Sequence, residues 1–324
     1  MLVSFVTHAQ DATFSNIKAN QLYFNPAYAG LSRGFSASLT HRVLWANIPE
    51  KFNTSILSVD QYIPHKNGLG GVGLMFVTDV EGYGLQMNTI SIPFSIRIKT
   101  ADKKYLQFGA SAAFVQKMIN SNNYVFSEQL DQINGIVTQT SSFVLPTNKL
   151  SYPDVSSGLL FENRNFLKTY SNSKANLIMG IAAHHLFQPD DSFYNTNAKI
   201  PIKWVMHASA EIPLNINKSD FTFLPGIQIQ KQAQFNTFFA GSNFYCDKLI
   251  FGAWFRRFKT WDAIAIVAGC VLGEKLFFSY AYDITISRLS TNTGGSHEIS
   301  IVYKVDNLLK AIGLKQDCKN AGTF

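Results

Sequence analysis

The chain has 324 residues, of which 46% are hydrophobic, 14% aromatic and only 15% charged. A globular domain bathed in water carries about 25% charged residues, so this composition argues against a protein that meets water on every side. The formal net charge of +7 suits an anionic surface such as lipid headgroups, and no dense Lys/Arg patch points to nucleic acid.

The first nine residues, MLVSFVTHA, carry an apolar stretch from Leu2 to Val6, then Thr7 and Ala9 at the −3 and −1 positions of a cleavage site. Residues 1–9 read as the remnant of a secretory signal peptide without its basic n-region, which puts the mature N-terminus at Gln10. The plainer alternative is a buried strand. Residues 10–32 contain QLYFNPAYAG (21–30). Asn25-Pro26 biases the backbone towards an extended or turning path. Tyr23, Phe24 and Tyr28 are anchors, while Ala27, Ala29 and Gly30 permit close approach. Two readings follow. The segment packs at or into the periplasmic mouth, as a plug or a holder of a periplasmic partner, or it is a lead-in whose aromatics sit at the membrane interface.

From residue 33 to 305 the dominant signal is period two. In 275–287, Leu276, Phe278, Tyr280, Tyr282, Ile284 and Ile286 share one face, and Ser279, Ala281, Asp283 and Thr285 lie on the other. Stretches 105–117 and 219–232 repeat the pattern. Successive side chains of a strand point to opposite sides, so each stretch has one apolar and one small or polar surface. Fourteen strands are expected, near 33–45, 52–63, 68–79, 84–99, 104–118, 153–162, 175–187, 200–213, 220–232, 235–246, 248–258, 262–273, 275–288 and 295–305. Their length exceeds the usual 5–6 residues or so and suits tilted strands, which need about 9–11 residues within hydrocarbon.

A soluble β-sandwich would put charges on its outward face. Here the less apolar face is rich in Ser, Gly, Thr, Gln and Ala, which favours an exterior in lipid and a sheet that must close on itself. No apolar run of about 18–20 residues offers a spanning helix. The predicted fold is therefore a transmembrane outer-membrane β-barrel of about fourteen antiparallel strands. With the N-terminus in the periplasm, short periplasmic turns fall near 64–67, 100–103, 163–174, 214–219, 247 and 274. Longer outer loops fall at 119–152, 188–199 and 289–294. A helical turn or two near 305–315 opens a periplasmic tail, 306–324.

Motifs for chemistry are sparse. GLGGVG (68–73) fits G-x-G-x-x-G, but a strand-like run follows it where a phosphate-binding loop needs a helix. It reads instead as a strand start where small residues allow crowded contacts. His184 and His185 are adjacent, so on a strand they point to opposite faces and form no ready chelate. Cys246, Cys270 and Cys318 match no metal or redox spacing. No G-x-S-x-G element is present, so no catalytic residue, metal site or cofactor is assigned. Asp262, Asp283 and Glu298 stand in the last strands. They are a catalytic carboxylate set or, on the favoured reading, lumenal groups bonded to Arg256, Arg257 or Tyr neighbours, since unpaired charge is costly beside a low-dielectric wall. His297 is grouped with them as a lumenal candidate.

Three stretches carry a resemblance that periodicity alone does not supply: QDATFSNIKANQLYFNPAYAG (10–30), FGAWFRRFKTWDAIAIVAGCVL (251–272) and FSYAYDITISRLSTNTGGSHEISIVYK (278–304). Together they resemble, in order and spacing, the PorP/SprF family of Bacteroidetes outer-membrane proteins. The resemblance implies a multi-pass barrel in the outer membrane that serves type IX secretion and gliding motility without being an enzyme. Its implied partners are a translocon or motor component, or the C-terminal domain of a secreted adhesin; the reading of the N-terminal segment itself makes Tyr23, Phe24, Asn25, Pro26 and Tyr28 the plug or partner-binding candidates. A channel for small solutes is the alternative function. The tail, KQDCKNAGTF, lacks the basic run and Cys-Pro often found in the family.

Overall fold

The structure is a computed structural model that describes residues 11–305 apart from 50–51, 66–67, 121–123, 126, 132–134, 137–146, 169–173, 195–197, 217–218, 259–260, 274 and 287–292. The expected signal remnant, 1–9, the tail, 306–324, and the helical turn near 305–315 lie outside the described residues.

Fourteen strands close into one antiparallel barrel. They are β1 (Phe35–Leu44), β2 (Phe52–His65), β3 (Gly68–Glu81), β4 (Leu85–Ala101), β5 (Lys104–Ile119), β8 (Lys149–Lys168), β9 (Lys174–His184), β10 (Lys203–Ile216), β11 (Ser219–Gln232), β12 (Phe235–Cys246), β13 (Leu249–Arg257), β14 (Trp261–Leu272), β15 (Leu276–Thr285) and β16 (Ser296–Val305). The short strands β6 (Leu130–Asp131) and β7 (Gly135–Ile136) pair with each other outside the barrel. The seam is a full ladder between β1 and β16, from Phe35↔Val305 to Leu44↔Ser296. Closure leaves no sheet edge with unpaired backbone groups, which is the condition for a sheet to live in hydrocarbon.

The connections differ between the two ends. One end has tight links such as 102–103 and 247–248, and the other carries 120–148 and 185–202. These are called the turn end and the loop end below.

Alternation assigns the two faces. On β4, Ile90, Ile92, Phe94, Ile96 and Ile98 are exposed, with Ile92 at 54%, while Ser91, Ser95 and Arg97 between them are buried. On β11, Ile227 and Ile229 face out, and Gln228 and Gln230 are buried. The exposed apolar residues girdle the barrel, as expected for an apolar band about 25 Å tall facing lipid.

The core is therefore inside the cylinder. Phe14 and Phe24 of the N-terminal segment pack with Ile56, Val77, Ala182 and Val205 of the wall. Leu22, Ala27, Tyr28 and Ala29 pack with Leu160. Ile17 lies against a third cluster built on Phe239 and Trp254.

The strand predicted at 153–162 is longer, Lys149–Lys168. Its flanks are Ser-, Asn- and Lys-rich and lack a clean apolar period. They stay in strand because β5 pairs with Lys149 to Asn163 and β9 takes Leu167 and Lys168, opposite Ala175 and Lys174. His185 also departs from expectation. It stands just beyond β9 with φ of 58°, which breaks the alternation and turns both His184 and His185 towards the N-terminal segment.

Candidate functional site

Residues 11–34 run inside the barrel from the loop end to the turn end. The segment thus lies within the lumen, deeper than the mouth of the barrel. Its first described residue, Asp11, lies among loop-end groups, and Gly30 lies against turn-end groups. A short helix, α1 (Gln21–Phe24), and a 3-10 turn, η1 (Pro26–Tyr28), occupy the middle.

At the loop end Asp11 Oδ2 is 3.0 Å from His185 Nε2 and 3.2 Å from Lys203 Nζ. His185 Nδ1 is 2.8 Å from Asp154 Oδ2, a charge contact whose angle falls short of a hydrogen bond. Burial by itself would raise the Asp11 carboxyl, but Lys203 and then His185 overcome it and hold it well below the usual carboxylate range. Burial by itself would lower the His185 imidazole, but Asp11 and then Asp154 push it up to about 10. The pair is thus charged on both sides at neutral pH.

Just below this lies a buried charged clamp. Arg42 donates to Asp283 Oδ2 at 2.7 Å, to Glu298 Oε2 at 3.0 Å and to the Ser15 hydroxyl at 2.7 Å. Glu298, 1% exposed, accepts the backbone N–H groups of Ser15 at 2.8 Å and Asn16 at 3.1 Å. Asn16 and Asn20 add side-chain bonds to Ser279 and Glu298. Arg256 bridges Asp283 at 2.9 Å and Asp262 at 2.7 Å. A carboxylate that accepts two backbone N–H groups and one arm of an Arg guanidinium holds both partners in one orientation. This clamp fixes the chain direction of residues 15–20.

Nearer the turn end, NPAYAG is held by shape. The Asn25 side chain accepts the Ala27 N–H at 2.9 Å, capping η1, with Pro26 at the first turn position. Its amide donates to the carbonyls of Leu159 and Ile181, both at 3.3 Å. Tyr28 stacks on His207 with centroids 5.3 Å apart. Three wall glycines make room. A β-carbon on Gly158 would overlap the Asn25 side chain, on Gly109 the Ala27 backbone, and on Gly71 the Ala29–Gly30 backbone. Gly30, at φ of 70°, turns the chain out towards β1 and donates its N–H to Asp60 at 2.8 Å. The Ala29 carbonyl accepts from Ser95 and Gln107.

The five N-terminal residues singled out above, Tyr23, Phe24, Asn25, Pro26 and Tyr28, thus all lie within the lumen against the wall, with Asn25 fully buried. Asp262, Asp283, Glu298 and Arg256 converge in the clamp. Arg257 and His297 do not. Each is one position out of phase with its inward neighbours, so Arg257 is exposed and His297 sits on the outer face, 2.6 Å from the Tyr280 hydroxyl. Arg42, Ser15 and Asn16, central to the clamp, were not anticipated. Parity was the available signal for Arg42, since Ser38 and Thr40 share its face.

The barrel is similar to the toluene transporter TbuX of Ralstonia pickettii, with TM-score 0.52 and 10% identity over 87% of this chain and 92% of that one. It also matches the CymD monoaromatic hydrocarbon channel, with TM-score 0.48 and 14% identity over 89% and 93%. A third is Omp33 of Acinetobacter baumannii, with TM-score 0.45 and 9% identity over 84% and 98%. At such identities the likeness to TbuX shows the fold alone. A search of curated proteins found no match. The family described as type IX secretion system membrane protein PorP/SprF matches residues 6–303. With its closed barrel and apolar girdle, the chain is an outer-membrane protein and belongs to the PorP/SprF family of type IX secretion system membrane proteins.

Proposed function

We propose that the protein serves type IX secretion as a plugged platform, holding protein partners at its ends without passing solute through its lumen. The observation that carries this reading is the seating of residues 11–34 through the barrel, with Phe14, Phe24, Asn25 and Ala27 buried against the wall. A lumen filled in this way serves poorly as an open pore, and the plug residues have little surface left for a partner. Recognition then falls to the connections. The loop end, with 120–148 and 185–202, is the surface offered to a secreted protein such as an adhesin's C-terminal domain, and the turn end faces the translocon or motor. Long loops on a rigid scaffold are where binding residues concentrate.

Two measurements test it. Purified protein in planar bilayers is expected to show little conductance, and a steady porin-like current would replace the platform with a solute channel. Affinity purification from native membranes is expected to recover a secretion component or secreted protein. Replacing residues 127–146 with a short Gly-Ser link should remove the secreted partner while the barrel still folds. Retention of that partner would overturn the loop-end assignment.

A further inference from the structure

The lumen is not filled evenly. Between the N-terminal segment and the loop-end half of β3, β4, β5 and β8 lies a cavity of about 560 Å³. Small-molecule sites span roughly 300–1,000 Å³. Its wall is formed by Met75, Val77, Leu85, Met87, Ala113 and Val115, successive inward positions of three adjacent strands, and Tyr23 faces them from the plug. Inward positions across the barrel are polar by contrast: Ser38, Thr40 and Arg42 on β1, and Ser296, Glu298 and Ser300 on β16. An apolar wall facing a void is hydrophobic surface without a packing partner.

At the edge of this wall stand Asp79 and Glu81, consecutive inward residues of β3. As residues i and i+2 of one strand their side chains stand on the same face, and Asp79 accepts the Thr54 hydroxyl at 2.6 Å. Among the described residues neither has an ion-pair partner. Three cations of the cavity lining are engaged elsewhere: Lys117 with Asp191, Lys203 with Asp11, and His185 with Asp11 and Asp154. Lys117 acts on Glu81 only as a longer-range attraction. Two carboxyl groups on one face, without a cation between them, share a proton or take up a cation. The cavity therefore combines an apolar trough with an acid pair at its end; of its lysines, Lys117 and Lys203 are paired with Asp191 and Asp11, and Lys199 is exposed.

We propose that this cavity binds an alkylammonium group, an apolar chain of several carbons ending in a primary amine. The chain lies along Met87, Ala113 and Val115, and the ammonium, with three donors, sits on Asp79 and Glu81. The site is lumenal, so it stands independently of the loop-end partner proposed above. An anionic ligand meets the acid pair unfavourably, and a neutral one leaves it unmatched.

Calorimetric titration of the full chain in amphipol tests this with octylamine, octanol and octanoate. Octylamine should bind about tenfold or more tighter than octanol, the margin of a charge-assisted hydrogen bond, and octanoate should not bind. The double substitution D79N/E81Q should remove that margin, and A113F should weaken octylamine and octanol alike by narrowing the trough. Equal affinity for amine and alcohol, or octylamine binding untouched by D79N/E81Q, would overturn the proposal in favour of a greasy sink. Absence of all binding would reduce the cavity to an internal void and the acid pair to a shared proton. Heat-modifiable gel mobility reports whether each variant folds. If D79N/E81Q does not, the amine–alcohol comparison on the native chain together with A113F still decides.

Discussion

The two ends of the N-terminal segment are held by opposite means. Residues 15–20 are held by charge, through Arg42, Asp283 and Glu298. Residues 25–30 are held by the absence of side chains on Gly71, Gly109 and Gly158. A charged clamp specifies orientation, because each donor must meet its acceptor, and it fails when one member is lost and another is left buried and unmatched. A glycine seat specifies distance. It carries no charge and fails only when volume is added. The segment is thereby fixed in direction at one end and in depth at the other, and neither device does the other's job.

That contrast can be broken in graded steps. Arg42→Ala should have the largest effect, about 3–5 kcal/mol, because it strands the buried Glu298 and leaves Asp283 with Arg256 alone. It should lower the melting temperature sharply in detergent, and adding D283N and E298Q should recover part of the loss. Gly109→Leu should cost about 1–3 kcal/mol by overpacking. Its signature should differ, with the barrel intact on heat-modifiable gels and the plug displaced, seen as new bilayer conductance. Asn25→Ala should cost about 1–2 kcal/mol by removing the η1 cap and two bonds to wall carbonyls, read as faster proteolysis near residues 20–30 with little conductance.

The smallest effect should be the pH response of the loop-end pair. Asp11 is depressed, so its contribution is present above the ordinary carboxylate range and is lost as pH falls through its lowered value. His185 is raised to about 10, so its contribution is full below the ordinary imidazole value and is lost as pH rises towards 10. Amide protection near residue 12, corrected for the intrinsic pH dependence of exchange, should be greatest between those limits, and Asp11→Asn should flatten the acid flank and weaken the alkaline one, where Asp154 still faces His185.

How much of this was legible in the sequence follows from the range of each interaction. Strand alternation is local, so all fourteen strands could be read, and Asp283 could be placed on the inner face, whereas Arg257 and His297 were assigned to the lumen and lie outside. Its partner Arg42 is 241 residues away, and no local pattern links them. The glycine run 68–73 announced crowded contacts without saying to what, and Gly109 and Gly158 were not singled out. Arg256 and Arg257 looked equivalent until parity, and the register shift between them, sent one inward and one outward. His185 required a left-handed backbone that no neighbouring residue signals.

The seam between first and last strands has a consequence for assembly. Glu298, which receives Ser15 and Asn16, belongs to β16, the final strand to be synthesised. The leading segment therefore waits for the end of the chain before its grip is complete, and the sheet must curl around it, since a finished cylinder would have to be threaded. A slip of β16 by one position would turn Glu298 to the lipid side. The grip on residues 15–16 thus closes fully only around a wall in the correct register.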